Sequence, residues 1–208
     1  MRSTTVTLFL ALSLHAVMAT QHTQCYEFFM WKDKCVWSAA ATNQRCPVPP
    51  KDHEAPVKTV SSLLCLFALL DFRKNCRLER RYDTTRGICG FYNSTTEAGV
   101  CLWSGPEQKD PTLKTAGWLN SQKTSNCGKR VYIQRKGKPE TVQYVKVLDG
   151  CSFKTKHRIP GCFDIAVTID LFNRFNPTAE EKASGLLLNG LSWDFDNINN
   201  DNTQQAPV

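Results

Sequence analysis

The sequence contains no apolar segment long enough to cross a membrane as a helix. Such a helix needs about 20 consecutive apolar residues, whereas the longest apolar run, Val6 to Val17, holds about 12. A second run, Leu63 to Phe72, is shorter and leads directly into Arg73. Its length and its charged end are typical of a buried helix. The sequence therefore predicts no membrane span.

The sequence also lacks the short motifs of the common catalytic and metal sites. It has no Gly-x-Ser-x-Gly nucleophile turn, no His-Glu-x-x-His metal motif and no glycine-rich phosphate loop. Its four histidines are scattered, and its cysteines are spaced about ten residues apart or more, so the close pairs of a zinc site are missing. We therefore expect neither a metal ion nor another cofactor.

The residues around the first apolar run are those of a secretory signal peptide. Arg2 precedes the run and the small residue Ala19 follows it. We expect cleavage of residues 1–19 and a secreted, extracellular mature chain. Without Arg2, the net charge falls by one from +7, to +6. This charge favours acidic partners, and nothing beyond it points to nucleic acid.

Disulfide bonds are expected to stabilise the secreted chain. The cysteines number ten and all follow the expected cleavage point, which indicates five disulfides. Five of these cysteines lie in residues 20–82, which we interpret as a cysteine-rich, partly helical N-terminal extension. Because five is an odd number, at least one disulfide should connect this extension to residues 83–195.

The extension opens with the aromatic-rich segment QCYEFFMWKDKCVW. If exposed, these rings would form a platform for a glycan or a contact for a partner. Small disulfide-rich units more commonly use such residues as their core. We therefore predict mainly a core role for this segment.

Residues 83–195 have the pattern of a small β domain. The segments CGKRVYIQ and TVQYVKVLDG flank a Gly and Pro turn, which predicts two paired strands. Further on, residues 168–175 have helical spacing, Thr178 and Glu181 have the spacing of a capping box, and LSWDF predicts a closing strand. The polar residues 196–208 predict a disordered tail. Asn93 begins a glycosylation sequon, which is typical of a surface loop.

The β segments follow one another in the order CGKRVYIQ, YVKVLDGC, GCFDIAVTIDLF and WDF. This order resembles the rare lipoprotein A-like (RlpA-like) double-psi β-barrel family, which includes expansins, barwin-like proteins and small secreted fungal proteins. The most specific feature is a strand ending in Asp-x-Cys, followed by Gly-Cys, an acidic strand and an apolar helix. The resemblance covers about residues 87–195. It implies a mainly β fold, a six-stranded double-psi β-barrel with short helices.

The resemblance also implies two disulfide pairings. In the similar fungal proteins, the two cysteines that flank the loop after the Asp-x-Cys strand are bonded to each other. This implies a bond from Cys151 to Cys162 around KTKHRIP. By the same analogy, Cys127 should pair with Cys89 or Cys101.

The resemblance bears on catalysis as well. Glycan-cleaving relatives use one carboxylic acid as a general acid, usually helped by a second carboxylate. Asp149 matches the acid of Asp-x-Cys, and Asp164 matches an earlier, less critical acid. Ala166 occupies the position of the principal proton donor, and a methyl group donates no proton. We therefore predict no catalytic residue, unless Asp164 or Asp170 has taken over the role.

Binding is the leading functional hypothesis from the sequence. We predict a shallow groove in the barrel that is lined by Asp149, Asp164, Tyr132, Tyr144 and Trp118. Each has a structural alternative, because Asp149 could hold backbone amides and the rings could belong to the core. Cations also crowd one hairpin, and we interpret them as a solvated surface: Lys129, Arg130, Arg135, Lys136, Lys138 and Lys146.

Three functions follow from this interpretation. The first is a secreted, non-enzymatic and monomeric protein, effector-like and plausibly fungal, that binds cell-wall polysaccharide or an extracellular host protein. The second is an expansin-like or lytic enzyme that acts on wall glycan. The third is a secreted protease inhibitor that acts through an exposed loop such as KTKHRIPG. The sequence does not separate an effector from an inhibitor.

Overall fold

The computed structural model describes residues 20–47, 58–60, 85–198 and 200–208. The expected signal peptide, the helix predicted at Leu63 to Phe72 and the domain boundary predicted near Tyr82 lie outside these ranges. The described part of the N-terminal extension and the β domain contribute to one hydrophobic core.

The protein is mainly β, as predicted. Its main sheet is curled and has the strand order β1-β8-β5-β6-β4-β7, while β2 and β3 form a separate hairpin. No pairing among the described strands joins β7 to β1. The strands are β1 (Lys58–Val60), β2 (Thr85–Gly87), β3 (Gly90–Tyr92), β4 (Gly99–Trp103), β5 (Arg130–Arg135), β6 (Lys138–Cys151), β7 (Ile165–Val167) and β8 (Leu191–Phe195).

The predicted hairpin is confirmed as β5 and β6. The two strands are antiparallel, with Tyr132 opposite Tyr144, and the turn between them contains Gly137 at φ +70°. This left-handed conformation is one that glycine adopts without steric cost. The closing strand predicted at LSWDF is confirmed as β8, which pairs with β5.

Strand β4 was not predicted, although its residues belong to the hydrophobic core. It pairs in parallel with β6 and antiparallel with β7. All five of its residues are buried, so its sequence, GVCLW, lacks the alternation that marks a half-exposed strand. Two neighbouring segments, GICG and AGWLN, contribute less to the main sheet. The first falls in the β2–β3 hairpin, and the second contributes only an isolated bridge at Asn120.

The described part of the chain also contains four short α-helices: α1 (Gln24–Asp33), α2 (Arg158–Gly161), α3 (Ile169–Arg174) and α4 (Ala179–Ser184). The predicted helix at residues 168–175 is confirmed as α3, which is capped by the Thr168 side chain. The predicted capping box of α4 is also present. The side chain of Thr178 accepts a hydrogen bond from the Glu181 amide, and the side chain of Glu181 accepts one from the Thr178 amide. Gly185 ends the helix at φ +70°.

The described part of the chain contains four disulfides. Cys127 pairs with Cys89, one of the two partners expected, and Cys35 pairs with Cys46. The implied bond from Cys151 to Cys162 is wrong. Cys151 bonds to Cys101 and Cys162 bonds to Cys25. The first of these bonds joins the neighbouring parallel strands β6 and β4, and the second connects the N-terminal extension to the β domain.

The C-terminal segment is ordered, so the predicted disordered tail is wrong. Ala206 is buried and Gln205 ends a short 3-10 helix. The backbone amide of Val208 donates to the side chain of Asn126 at 3.0 Å, and its carbonyl accepts from the Thr23 amide at 3.2 Å. These hydrogen bonds order the polar C-terminal segment, and such partners cannot be predicted from its composition.

Candidate binding surface

Two of the predicted groove residues belong to the core instead. Trp118 is fully buried, and its indole Nε1 donates to the Cys162 carbonyl at 3.0 Å. Tyr132 is only 1% exposed. Neither ring can contact a ligand at the surface, so their assignment to a groove is wrong. This is the core role that the sequence analysis gave as their alternative.

Asp149 is half-buried and holds the β2–β3 hairpin against β6. Its carboxylate accepts hydrogen bonds from the amides of Ile88 at 2.7 Å and Gly150 at 2.8 Å, and from the Tyr92 hydroxyl at 3.2 Å. Burial, followed by the charge of Asp149, raises the pKa of Tyr92. Gly87 leaves room for this carboxylate, because a Cβ there would lie 2.6 Å from its carbon. These contacts give Asp149 a structural role.

The register places Asp149 and Ala166 on opposite sides of β4. Both are paired with Cys101, Asp149 from β6 and Ala166 from β7. Asp164 directly precedes β7, and burial raises the pKa of its carboxyl group. The hydrogen bonds of Asp149 go to Ile88, Tyr92 and Gly150. They therefore do not connect Asp149 and Asp164 into one site.

Tyr144 is the one aromatic ring of the predicted groove that is exposed, at 45%. The guanidinium of Arg130 lies over it, 5.5 Å from the ring centroid. On the β2–β3 hairpin, Phe91 is 74% exposed and is covered in the same way by Arg86 at 5.8 Å. One face of each ring is therefore occupied by a cation of the protein itself.

The predicted cationic hairpin is only partly a solvated surface. Arg135 forms a two-armed ion pair with the buried Glu181, at 2.8 and 2.9 Å. Arg130 pairs with Asp196 at 2.5 Å. Lys129 donates to the Ala206 carbonyl. These three cations bind parts of the fold, whereas Lys136, Lys138 and Lys146 are exposed.

A cluster of exposed apolar and cationic side chains lies where α1 meets the loop before β7. Trp31 is 70% exposed and Ile159 is 62% exposed. They line a shallow depression, which we call the Trp31–Ile159 surface, together with Phe28, His157 and Arg158. The rings of Phe28 and Trp31 lie 6.3 Å apart. Large apolar side chains exposed together in this way mark interaction sites more commonly than they mark inert surface.

Three buried tryptophans hold the loop that carries one side of this surface. The indole Nε1 atom of each donates to a backbone carbonyl of this loop: Trp103 to Thr155 at 3.2 Å, Trp118 to Cys162 at 3.0 Å and Trp193 to Phe163 at 2.8 Å. The core thus holds the backbone of this loop at Thr155, Cys162 and Phe163, whereas Lys156 to Pro160 between them are exposed.

The two sides of the surface are joined directly. The Cys25–Cys162 disulfide links α1 to the end of the loop, and Phe163 packs edge-on against Phe28 and Phe29 at 6.1 and 5.2 Å. Gly161 lies on Trp103, where a Cβ would come within 2.5 Å of the indole ring. Only glycine allows this approach. The Trp31–Ile159 surface is therefore preorganised by the core beneath it.

The two parts of this surface, the segment QCYEFFMWKDKCVW and the loop KTKHRIPG, were noted in the sequence but not predicted to lie together. The core role predicted for the first segment is confirmed for Tyr26, Phe28 and Phe29. Helical spacing places Trp31 away from the face that these residues share, a signal that was available in the sequence.

Asn93, the sequon residue, lies in a turn, where its side chain accepts from the Thr95 amide at 2.9 Å.

Comparison with known proteins identifies no relative, since no family model, no curated protein and no solved structure matches the chain. Within the described ranges, no group of three or more metal-ligating side chains comes together. None of the helices described is long and apolar enough to span a bilayer. Four disulfides are typical of extracellular proteins.

Proposed function

We propose that this chain is a secreted, non-catalytic binding protein that recognises an extracellular host protein, as an effector does, through the Trp31–Ile159 surface. The observation that supports this most strongly is the exposure of Trp31 and Ile159 on a rigid base. A rigid surface loses little conformational entropy on binding. We further propose that the sheet is a double-psi β-barrel of the RlpA-like kind. The placement of β4 between β6 and β7 is compatible with that topology.

The composition of the surface favours a protein partner. Tryptophan and arginine dominate the energetic centres of protein interfaces, and here Trp31 and Arg158 lie beside the apolar side chains of Phe28 and Ile159. Lys154 and Lys156 are exposed on the same loop. The complementary partner surface is an apolar projection surrounded by carboxylates, which the positive mature chain would also attract over a distance.

Cell-wall polysaccharide is a weaker candidate partner. Two residues of the groove predicted from the sequence, Trp118 and Tyr132, are buried in the core. The exposed rings of Tyr144 and Phe91 each have an arginine over one face. A sugar ring that stacks on that face would first have to displace the arginine.

The absence of catalysis is part of the proposal. Asp149 is engaged with two backbone amides and a tyrosine hydroxyl, and alanine occupies the position across β4 from it. A lytic enzyme would require Asp164 or Asp170 to act as the acid. The raised pKa of Asp164 favours its protonated form, whereas Asp170 is paired with Arg174. Release of reducing ends from cellulose, chitin, pectin or peptidoglycan that is abolished by Asp164→Asn would overturn this part of the proposal.

Affinity capture tests the proposed partner. The immobilised mature protein is exposed to host extracellular fluid, captured proteins are identified, and the interaction is repeated with each one purified. We expect one partner to bind the native protein and to lose at least about tenfold in affinity with Trp31→Ala or Ile159→Ser, as for an energetic centre worth about 1.4 kcal/mol or more.

The matched control is Leu113→Ser, which removes another exposed apolar side chain, 49% exposed and outside this surface. It should leave the affinity unchanged. Equal loss in all three variants, or binding to a wall glycan alone, would refute the proposal.

Protease inhibition is a second candidate function, and one observation favours it. Residues 152–160, of which Lys154 and residues 156–160 are exposed, are held at both ends by the Cys101–Cys151 and Cys25–Cys162 disulfides. The Trp103 indole holds them from below. A constrained, exposed loop containing Lys156 and Arg158 fits the acidic specificity pocket of a trypsin-like protease. Slow-cleaving inhibition of trypsin that Arg158→Ala removes would support this function, and the absence of inhibition of serine and cysteine proteases would exclude it.

A further inference from the structure

A second cavity lies on another part of the molecule, between the start of the described chain, α1 and the C-terminal segment. It has a volume of about 630 Å³, which is within the range of small-molecule sites. Its walls are largely apolar and include Ala40, Ala206 and Val208. One cation, Lys129, lines it together with the rings of His22 and Tyr26. We call it the Lys129 cavity.

No side chain that lines this cavity is acidic. The Lys129 ammonium group donates to the Ala206 carbonyl, which uses one of its three donors. No carboxylate among the described residues forms an ion pair with it. Burial lowers the pKa of Lys129 to about 8, so the group is still mostly protonated at pH 7. A partly desolvated positive charge without a counter-ion is stabilised by an anion that enters beside it.

Part of the lining is aromatic and its side chains add no charge at neutral pH. The ring of His22 stacks on Tyr26 with the centroids 3.8 Å apart and the planes 6° from parallel. Burial, followed by the nearby charge of Lys123, lowers the pKa of His22, so this ring is neutral at pH 7. Burial raises the pKa of Tyr26, and its hydroxyl donates to the Gln44 side chain at 2.6 Å.

We infer that the Lys129 cavity binds a small organic carboxylate with an aromatic or alicyclic body. The carboxylate pairs with the Lys129 ammonium, and the body lies between the stacked His22–Tyr26 rings and the alanine-lined wall. A bare inorganic anion would gain only the charge interaction and would leave the apolar walls unfilled. This inference is independent of the Trp31–Ile159 surface, and either one can fail without the other.

The affinity should depend on pH through Lys129. Its deprotonation above about pH 8 removes the charge that the carboxylate needs, so affinity falls by up to about tenfold for each further pH unit. The other titratable side chains that face the cavity act differently. His22 gains charge only below neutral pH, Tyr26 stays neutral over this range, and Lys123 acts on the cavity through His22.

Calorimetric titration of the mature protein with sodium benzoate and cyclohexanecarboxylate tests the inference, with inorganic phosphate as the comparison. We expect both carboxylates to bind more tightly than phosphate at pH 7, and Lys129→Met to reduce their affinity at least about tenfold. Lys138→Met, which removes an exposed cation at the end of the same hairpin, should leave it unchanged.

A second variant keeps the test decisive if Lys129→Met does not fold, as judged by circular dichroism. Ala41→Phe places a ring in the cavity mouth, where Ala41 is exposed, and should block benzoate while retaining Lys129. No detectable binding of either carboxylate at millimolar concentration, or equal binding by the native protein and the variants, would overturn the inference.

Discussion

The ion pair between Arg135 and Glu181 provides a quantitative test of how this fold is held together. Glu181 is buried, and its carboxylate accepts four hydrogen bonds: two from Arg135 and one each from the amides of Thr178 and Leu188. The hydrogen bonds from Arg135 are the main cause that lowers the pKa of Glu181 from 4.5 to about 2. The pair thus ties strand β5 to the start of α4.

The magnitude follows from linkage between protonation and folding. One pKa unit corresponds to about 1.4 kcal/mol, so ionised Glu181 contributes about 3 kcal/mol to the free energy of unfolding. Because the pKa in the folded state is depressed, this contribution is fully present above about pH 4.5 and is lost as the pH falls towards 2. Glu181→Gln should therefore cost about 3 to 5 kcal/mol at pH 7 and less than about 1 kcal/mol at pH 2.

Urea unfolding followed by tryptophan fluorescence measures both values. The control is Asp170→Asn, which breaks the exposed pair with Arg174 on α3 and should cost about 0.5 kcal/mol at pH 7. If Glu181→Gln costs no more than this control, or if its deficit is the same at pH 2 as at pH 7, the reasoning about the buried pair is refuted.

Three further predictions concern a disulfide and two side chains that hold the fold together. Replacing Cys25 and Cys162 together by serine opens a covalent loop of separation 137, which should lower the free energy of unfolding by about 4 to 5 kcal/mol in urea melts. Trp118→Phe leaves the Cys162 carbonyl without its indole donor and should cost about 1 to 3 kcal/mol. Asp149→Ala should destabilise the protein by a similar amount, because two amides lose their acceptor, while partner affinity measured by calorimetry stays unchanged. A loss of affinity with unchanged stability would restore Asp149 to the binding site.

Elements with strong local signals could be predicted from the sequence. The β5–β6 hairpin has alternating strands around a glycine turn, and α4 has a capping box within its own first turn. Such signals depend on residues that are close together in the chain. They are therefore visible without knowledge of the tertiary fold.

Features that depend on contacts distant in sequence could not be predicted in the same way. Strand β4 is buried on both faces and has no alternation to read. The partner of Cys151 is decided by the parallel pairing of β4 and β6, which places Cys101 beside it. The C-terminal segment is ordered by hydrogen bonds to residues such as Asn126, far away in the chain. The prediction of disorder there rested on the low content of apolar residues, which says nothing of the hydrogen-bond partners that the segment finds in the folded protein.

The candidate surface lies between these two cases. The aromatic density around Trp31 is visible in the sequence, and so is the exposed character of the loop containing Arg158. Their proximity depends on the Cys25–Cys162 bond and on the packing of Phe163. Because neither could be derived from spacing, the sequence suggested a groove around Asp149 instead.

Hydrogen-exchange footprinting of the complex with the captured partner tests the central claim most directly. The mature protein alone and in complex would be compared peptide by peptide by mass spectrometry. We predict that protection is confined to residues 28–34 and 152–161, the two sides of the Trp31–Ile159 surface. Protection centred on residues 87–92 and 144–149, with none at Trp31, would contradict the account and return the binding site to the groove around Asp149.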